Sequence, residues 1–173
     1  MASYYYLIAS LPEIRSDGQM PISYDEFLAM CETNVSRKCF DVLKNLTLSS
    51  KGTSLLDRWN ASYQNLMNEL NHQRCVRLGR AFSTEYDKDT LTASVATSAI
   101  GAKNPLEAER ILLDYEFECL DELVGLHTFD DIFLFGYALK LKLLQRQDSF
   151  EHEAGKKEFE RLFEQIQERV YSL

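Results

Sequence analysis

Between residues 53 and 79, Leu55, Trp59, Tyr63, Leu66, Leu70 and Leu78 recur at steps compatible with about 3.6 residues per turn, and Leu56 and Met67 widen the stripe. This pattern predicts one long amphipathic helix with Gly79 as its stop. A helix with one apolar face has to bury that face against other elements, so the remaining segments must supply the partners.

The segments that follow fit that demand. Asn104-Pro105 puts a cap residue before a proline suited to a first helical position, and Leu106, Leu113, Phe117, Leu120 and Val124 form a stripe that ends at Gly125. Thr128-Phe129-Asp130-Asp131 marks the next start, with two carboxylates placed favourably near a helix N-terminus. Ile132 to Leu139 holds no charged residue, which predicts the central, most buried helix. Ser149 is read as opening a final helix whose Phe159, Leu162, Phe163, Ile166 and Val170 face the core. Upstream, Ser23-Tyr24-Asp25-Glu26 reads as a capping box and Ser36 as the cap of a short helix carrying Phe40, Leu43 and Leu46. Ser49-Ser50-Lys51-Gly52 is a loop, and residues 4–11 form either a short strand or a first helical turn. The small, uncharged run 92–102 reads as a closely packed helix rather than a hinge. The expected fold is all-α: a bundle-like single helical domain over residues 1–173, with five or more helices. A chain of this size buries roughly 70% of the surface it exposes when unfolded, so it needs no covalent staples.

Charge divides the chain. Residues 1–80 hold nine Lys/Arg against eight Asp/Glu, and residues 81–173 hold ten against nineteen, so almost all of the net −8 sits in the second half. A hinge near residues 81–103, between a near-neutral and an acidic half, is the alternative to that packed helix. A chain this acidic repels a phosphate backbone, so nucleic acid is excluded as the main partner. The best local basic cluster, Arg74, Arg77 and Arg80, falls along one side of a helix end, where the helix dipole already favours cations. No apolar run approaches the roughly 20 residues needed to cross a bilayer. The opening lacks the basic start and long apolar stretch of a signal peptide, so the expectation is a cytoplasmic protein without direct membrane insertion. Cys31, Cys39, Cys75 and Cys119 form no CxxC pair and read as reduced thiols.

No catalytic constellation emerges. Glu69-x-x-His72 has the spacing of a di-iron ligand pair, but that chemistry needs a second Glu-x-x-His, which the sequence lacks. The expectation is an exposed helical pair that holds no metal. Phosphate loops, dinucleotide cradles and nucleophile elbows are missing, and no cofactor is implied. Nine carboxylates lie between 107 and 131, opposed by Arg110 alone, and read as a solvated acidic face. Its sharper reading is a surface that steers a basic partner, with Glu116, Glu118 and Glu122 as candidate contributors. The run Tyr4-Tyr5-Tyr6 reads as core ahead of an interface; if an interface exists, Tyr4 and Tyr5, with Arg74, Arg77 and Arg80, are its candidate anchors.

Several phrases occur together: Tyr4-Tyr5-Tyr6-Leu7-Ile8-Ala9-Ser10-Leu11-Pro12, then Ile22 to Leu28 with Cys31, Arg58-Trp59, Asn68-Glu69-Leu70 with Arg74, Asn104 to Glu109, Phe129-Asp130, Tyr137 to Leu141 and Glu153-Ala154-Gly155. In this order they resemble an uncharacterised bacterial family encoded among the subunits of V/A-type (V-type) rotary ATPases. The resemblance spans almost the whole chain. It implies a non-catalytic structural or assembly subunit, analogous to the helical connector that joins the central stalk of these ATPases to the membrane rotor. The implied partners are other ATPase subunits of the stalk or rotor, and the implied place is the cytoplasmic side, peripheral to the inner membrane through that complex. The resemblance carries over no catalytic residues. A small carboxylate-based or metal-dependent enzyme, resting on the acidic segment and on Glu69 with His72, is the competing expectation.

Overall fold

A computed structural model describes residues 4–149 and 152–171. Among the described residues there are eight helices and no strand. In chain order they are α1 (Tyr5–Ser10), α2 (Tyr24–Glu32), α3 (Arg37–Lys44), α4 (Ser54–Arg77), α5 (Thr90–Gly101), α6 (Pro105–Val124), α7 (Asp131–Asp148) and α8 (His152–Tyr171). The domain is all-α, and the N-terminal aromatic run takes the helical option, not the strand.

Local chemistry sets the boundaries. Each helix from α2 to α7 opens on a polar side chain that accepts a free amide of the first turn: Ser23, Ser36, Thr53, Asp89, Asn104 and Asp130. Each such cap is worth about 1 kcal/mol. At α2 the box is complete, because the Glu26 carboxylate also accepts the Ser23 amide at 2.8 Å. The long helix α4 stops where the Arg80 amide donates to the Cys75 carbonyl at 2.8 Å and the Gly79 amide to the Val76 carbonyl at 3.1 Å. This closure places Gly79 at φ 64°, in the left-handed region where only glycine is unstrained.

The main core is gathered around α7, in which every residue from Leu134 to Leu139, together with Leu141, Leu143 and Leu144, is buried. Phe27, Leu43, Leu56, Trp59, Leu113 and Leu120 pack into the same cluster. Aromatic polar groups tie the loops to it. The Trp59 indole donates to the Leu48 carbonyl at 2.9 Å, the Tyr24 hydroxyl to Leu43 at 2.7 Å, and the Tyr137 hydroxyl to Pro12 at 2.9 Å. A second, smaller cluster lies toward the other end of α4, where Leu66 and Leu70 meet Ala96 and Ala99 of α5. Cys31 and Cys39 are buried, Cys75 and Cys119 half-buried, and all four are free thiols; burial pushes Cys31 up to about 12.

Three expectations fail. Ser149 closes α7 instead of opening α8, because its hydroxyl and amide both donate back to the Arg146 carbonyl. Phe159, Leu162 and Phe163 of α8 are exposed, not core-facing; Ile166 and Val170 lie outside the residues whose side chains are described. Leu78 and Leu106 stand 65% and 52% exposed, at the end of α4 and the start of α6.

Candidate interface surfaces

The N-terminal tyrosines separate by direction. Tyr4 is buried, its amide donating to the Phe129 carbonyl at 3.0 Å and its hydroxyl accepting from the Ser36 amide at 3.3 Å. It therefore serves the core and cannot anchor a partner, which corrects its reading as an interface residue. Tyr5 and Tyr6 point outward. The Tyr5 ring lies 4.9 Å from Phe129 and 5.6 Å from Tyr6, and Tyr6 is 88% exposed. Leu126, on the same α6–α7 turn as Phe129, is 99% exposed. The turn is closed by backbone bonds: Gly125 adopts φ 55°, its amide donates to the Asp121 carbonyl, and the His127 amide donates to the Val124 carbonyl. Sequence reasoning weighs the tyrosine run as core or interface but misses Phe129 and Leu126 beside it, because the pairing of α1 with this turn spans more than 100 residues.

The arginines at the end of α4 frame a second surface. Leu70, Ala99, Ile100, Ala108 and Leu112 floor a groove of about 380 Å³ between α4, α5 and α6, and Arg74 and Arg77 form its rim. The Arg77 guanidinium donates to the Ile100 carbonyl at 3.0 Å and Arg74 reaches Asn71 at 3.4 Å. Both keep further donors for a ligand, since a guanidinium has five. Arg80 lies past the helix stop, exposed and outside the groove lining.

The acidic face is not uniformly solvated. Glu118 and Glu122 are exposed, as a steering surface requires, but Glu116 is 1% exposed and is withdrawn from that set. Arg146 of α7 grips both Glu116 oxygens, at 2.9 and 2.6 Å, and bonds Glu109 at 2.8 Å. Burial pushes the Glu116 carboxyl above the ordinary glutamate value, against the pull of Arg146. The two carboxylates hold Arg146 firmly protonated. Asp121 pairs with Lys140 at 2.6 Å, and Asp130 caps α7.

Glu69 and His72 also differ from expectation, because Glu69 is buried. Its carboxylate accepts from the Tyr86 hydroxyl at 2.5 Å and from the Gln73 amide at 2.8 Å, and His72 lies 3.7 Å away. The Phe82 and Tyr86 rings close over His72, so this cluster fastens the extended 81–89 stretch to α4. Burial acts to raise the Glu69 carboxyl, but the bonds from Tyr86 and Gln73 and the neighbouring His72 outweigh it and hold it low. A carboxyl lowered on folding stabilises the fold above its unfolded value, and that contribution disappears as pH falls through the lower folded value. Tyr86→Phe should cost about 1–2 kcal/mol at neutral pH, less as Glu69 becomes protonated in acid. Urea denaturation across pH would check it, and an equal cost at all pH values would refute it.

Among the described residues, no three His, Cys, Asp or Glu side chains gather as a metal ion would need. The chain matches no family model, no curated protein and no solved structure.

Proposed function

We propose that this chain is a non-catalytic structural or assembly subunit of a V/A-type rotary ATPase, and that it docks through the aromatic patch of Tyr5, Tyr6, Leu126 and Phe129. The observation that carries the docking role is the exposure of three aromatic rings and a leucine around the α6–α7 turn. Aromatic side chains offer large contact area at little conformational entropy, which is why they dominate binding energy at interfaces. The choice of assembly rests on the sequence resemblance, and the analogy with the helical connector points to the stalk or rotor. Glu118 and Glu122 would speed encounter with a basic partner in that assembly, an effect that fades with salt as the field shortens to roughly 8 Å at physiological ionic strength. The enzyme alternative has less support. Among the described residues the two buried carboxylates, Glu69 and Glu116, are each closed by partners from this chain, Tyr86 with Gln73 and Arg146 respectively.

Affinity purification from the native cell tests this reading. The wild-type chain should retain stalk or rotor subunits, and Tyr5→Ala/Tyr6→Ala/Phe129→Ala should release them at least about tenfold faster while staying helical. Wild-type protein that retains no rotary-ATPase component at low salt sinks the assembly assignment. A triple variant that holds them as firmly sinks the patch.

A further inference from the structure

After the stop at Gly79 the chain doubles back over the helix it has just left. Residues 80–89 form an extended strap alongside α4: the Phe82 ring lies 5.6 Å from His72, and three residues further back the Tyr86 hydroxyl donates to Glu69 at 2.5 Å. Within 81–89 only Phe82 and Tyr86 are not exposed. α5 then returns toward the end of α4, so that Ala96 and Ala99 meet Leu66 and Leu70 and the Ile100 carbonyl accepts from Arg77 at 3.0 Å. We infer that residues 81–101 are a lid over α4 and α6, latched by Tyr86 on Glu69, and that strap and α5 lift as one body.

The lid is lightly held by packing. α5 buries three small side chains, Thr92, Ala96 and Ala99, with Val95 and Ile100 part-buried, whereas α7 buries nine residues, six of them leucine or aromatic. Polar ties therefore matter more here than elsewhere in the fold. Of these, the Thr92–Tyr115 bond at 2.7 Å joins two neutral hydroxyls and the Arg77–Ile100 bond is exposed. The Tyr86 bond is made to a buried carboxylate, the stronger kind of acceptor. It also governs α5 mechanically. Three residues separate Tyr86 from Thr90, the first residue of α5, and that stretch of chain spans at most about 14 Å, so the start of α5 cannot move far while Tyr86 stays on Glu69. Lifting the lid bares Leu66 and Leu70 on α4 and dismantles the groove, so one tyrosine controls access to that apolar strip.

Thiol alkylation of the full chain provides the test, with iodoacetamide as the probe and the modified peptides identified by mass. Ala96→Cys and, separately, Ala99→Cys place a reporter thiol under the closed lid, and Cys31, buried in the main core, reports global unfolding in the same sample. Each reporter should react at least about tenfold faster than Cys31, because the lid opens more often than the whole fold. Adding Tyr86→Phe should speed both reporters by the same factor, about tenfold. The ratio is taken within each reporter background, so any strain from the new thiol cancels. Reporters that react no faster than Cys31 overturn the lid. Reporter rates unchanged by Tyr86→Phe would mean that α5 opens while the strap stays fastened, which sinks the latch. Unequal factors at residues 96 and 99 would mean that α5 frays and does not lift as one body. None of these outcomes depends on the rotary-ATPase reading, since the chain is measured alone.

Discussion

Arg146→Met should lower folding stability by about 3–5 kcal/mol, among the largest losses a single substitution in this chain can produce. The guanidinium satisfies both oxygens of Glu116, whose side chain is 2% exposed, and one of Glu109. Its removal strands a buried carboxylate without its cation. That carboxylate, already pushed up by burial, loses the pull that opposed the rise and takes up a proton more readily. A carboxyl whose value rises on folding binds more protons in the folded state, so the variant should regain stability as pH falls from neutrality. Wild type should show much less of this recovery. Glu116→Leu/Arg146→Met should recover much of the loss at all pH values, since an apolar pair often replaces a buried ion pair at little cost. Glu118→Gln and Glu122→Gln, on the exposed side of the same helix, should stay within about 0.5 kcal/mol of wild type. Urea denaturation reads all of these. An Arg146→Met variant as stable as the Glu118 variant would mean that the triad is not a structural feature.

Gly136→Ala should cost about 2 kcal/mol, even though alanine is a better helix former than glycine by about 1 kcal/mol. A Cβ at residue 136 would run into Cγ2 of Val124, where α7 crosses the end of α6. Valine is stiff at χ1 in a helix, so the clash is relieved by separating the helices and not by turning a side chain. Val124→Ala/Gly136→Ala should be more stable than the two separate losses would give, with the difference read from a double-mutant cycle. Simple additivity would show that the crossing is looser than this contact implies. Gly136→Leu, in which no such relief is available, should cost about 3 kcal/mol or more.

The helices and their starts are legible in the sequence because their causes are local. A cap needs a side chain three residues from its amide, and Ser23, Ser36, Asn104 and Asp130 each stand at that spacing. The charge-free stretch of α7 foretells its central place for a similar reason: nothing in it favours contact with water. Periodicity shows which face of a helix is apolar but not what covers it. It therefore assigns Leu78, Leu106 and the face of α8 to a core that does not reach them. The two carboxylates that the sequence misplaces have distant partners. Arg146 lies 30 residues from Glu116 and Tyr86 lies 17 from Glu69. Composition around 107–131 shows an acidic run, while burial gives its members different roles. The arginines at the end of α4 are visible in the sequence, but the groove that they rim depends on how α5 and α6 approach them.

The helix α4 belongs to two cores at once, with consequences for motion. Its first turns, through Leu55, Leu56 and Trp59, are held by large side chains of the main cluster. Leu66 and Leu70 belong to a smaller cluster, with Ala96 and Ala99 as its other fully buried members and Ile100, Ile111, Leu112 and Tyr115 only partly buried around it. Opening free energy follows buried contact, so one continuous helix should exchange its amide hydrogens in two tiers. Amides near Trp59 should exchange only with global unfolding. Those beyond Leu66 should be released through a smaller opening in which α5 and the end of α4 part while α7 stays folded. The groove would then sit on the part of the molecule that breathes first, and whatever occupies it would slow that breathing.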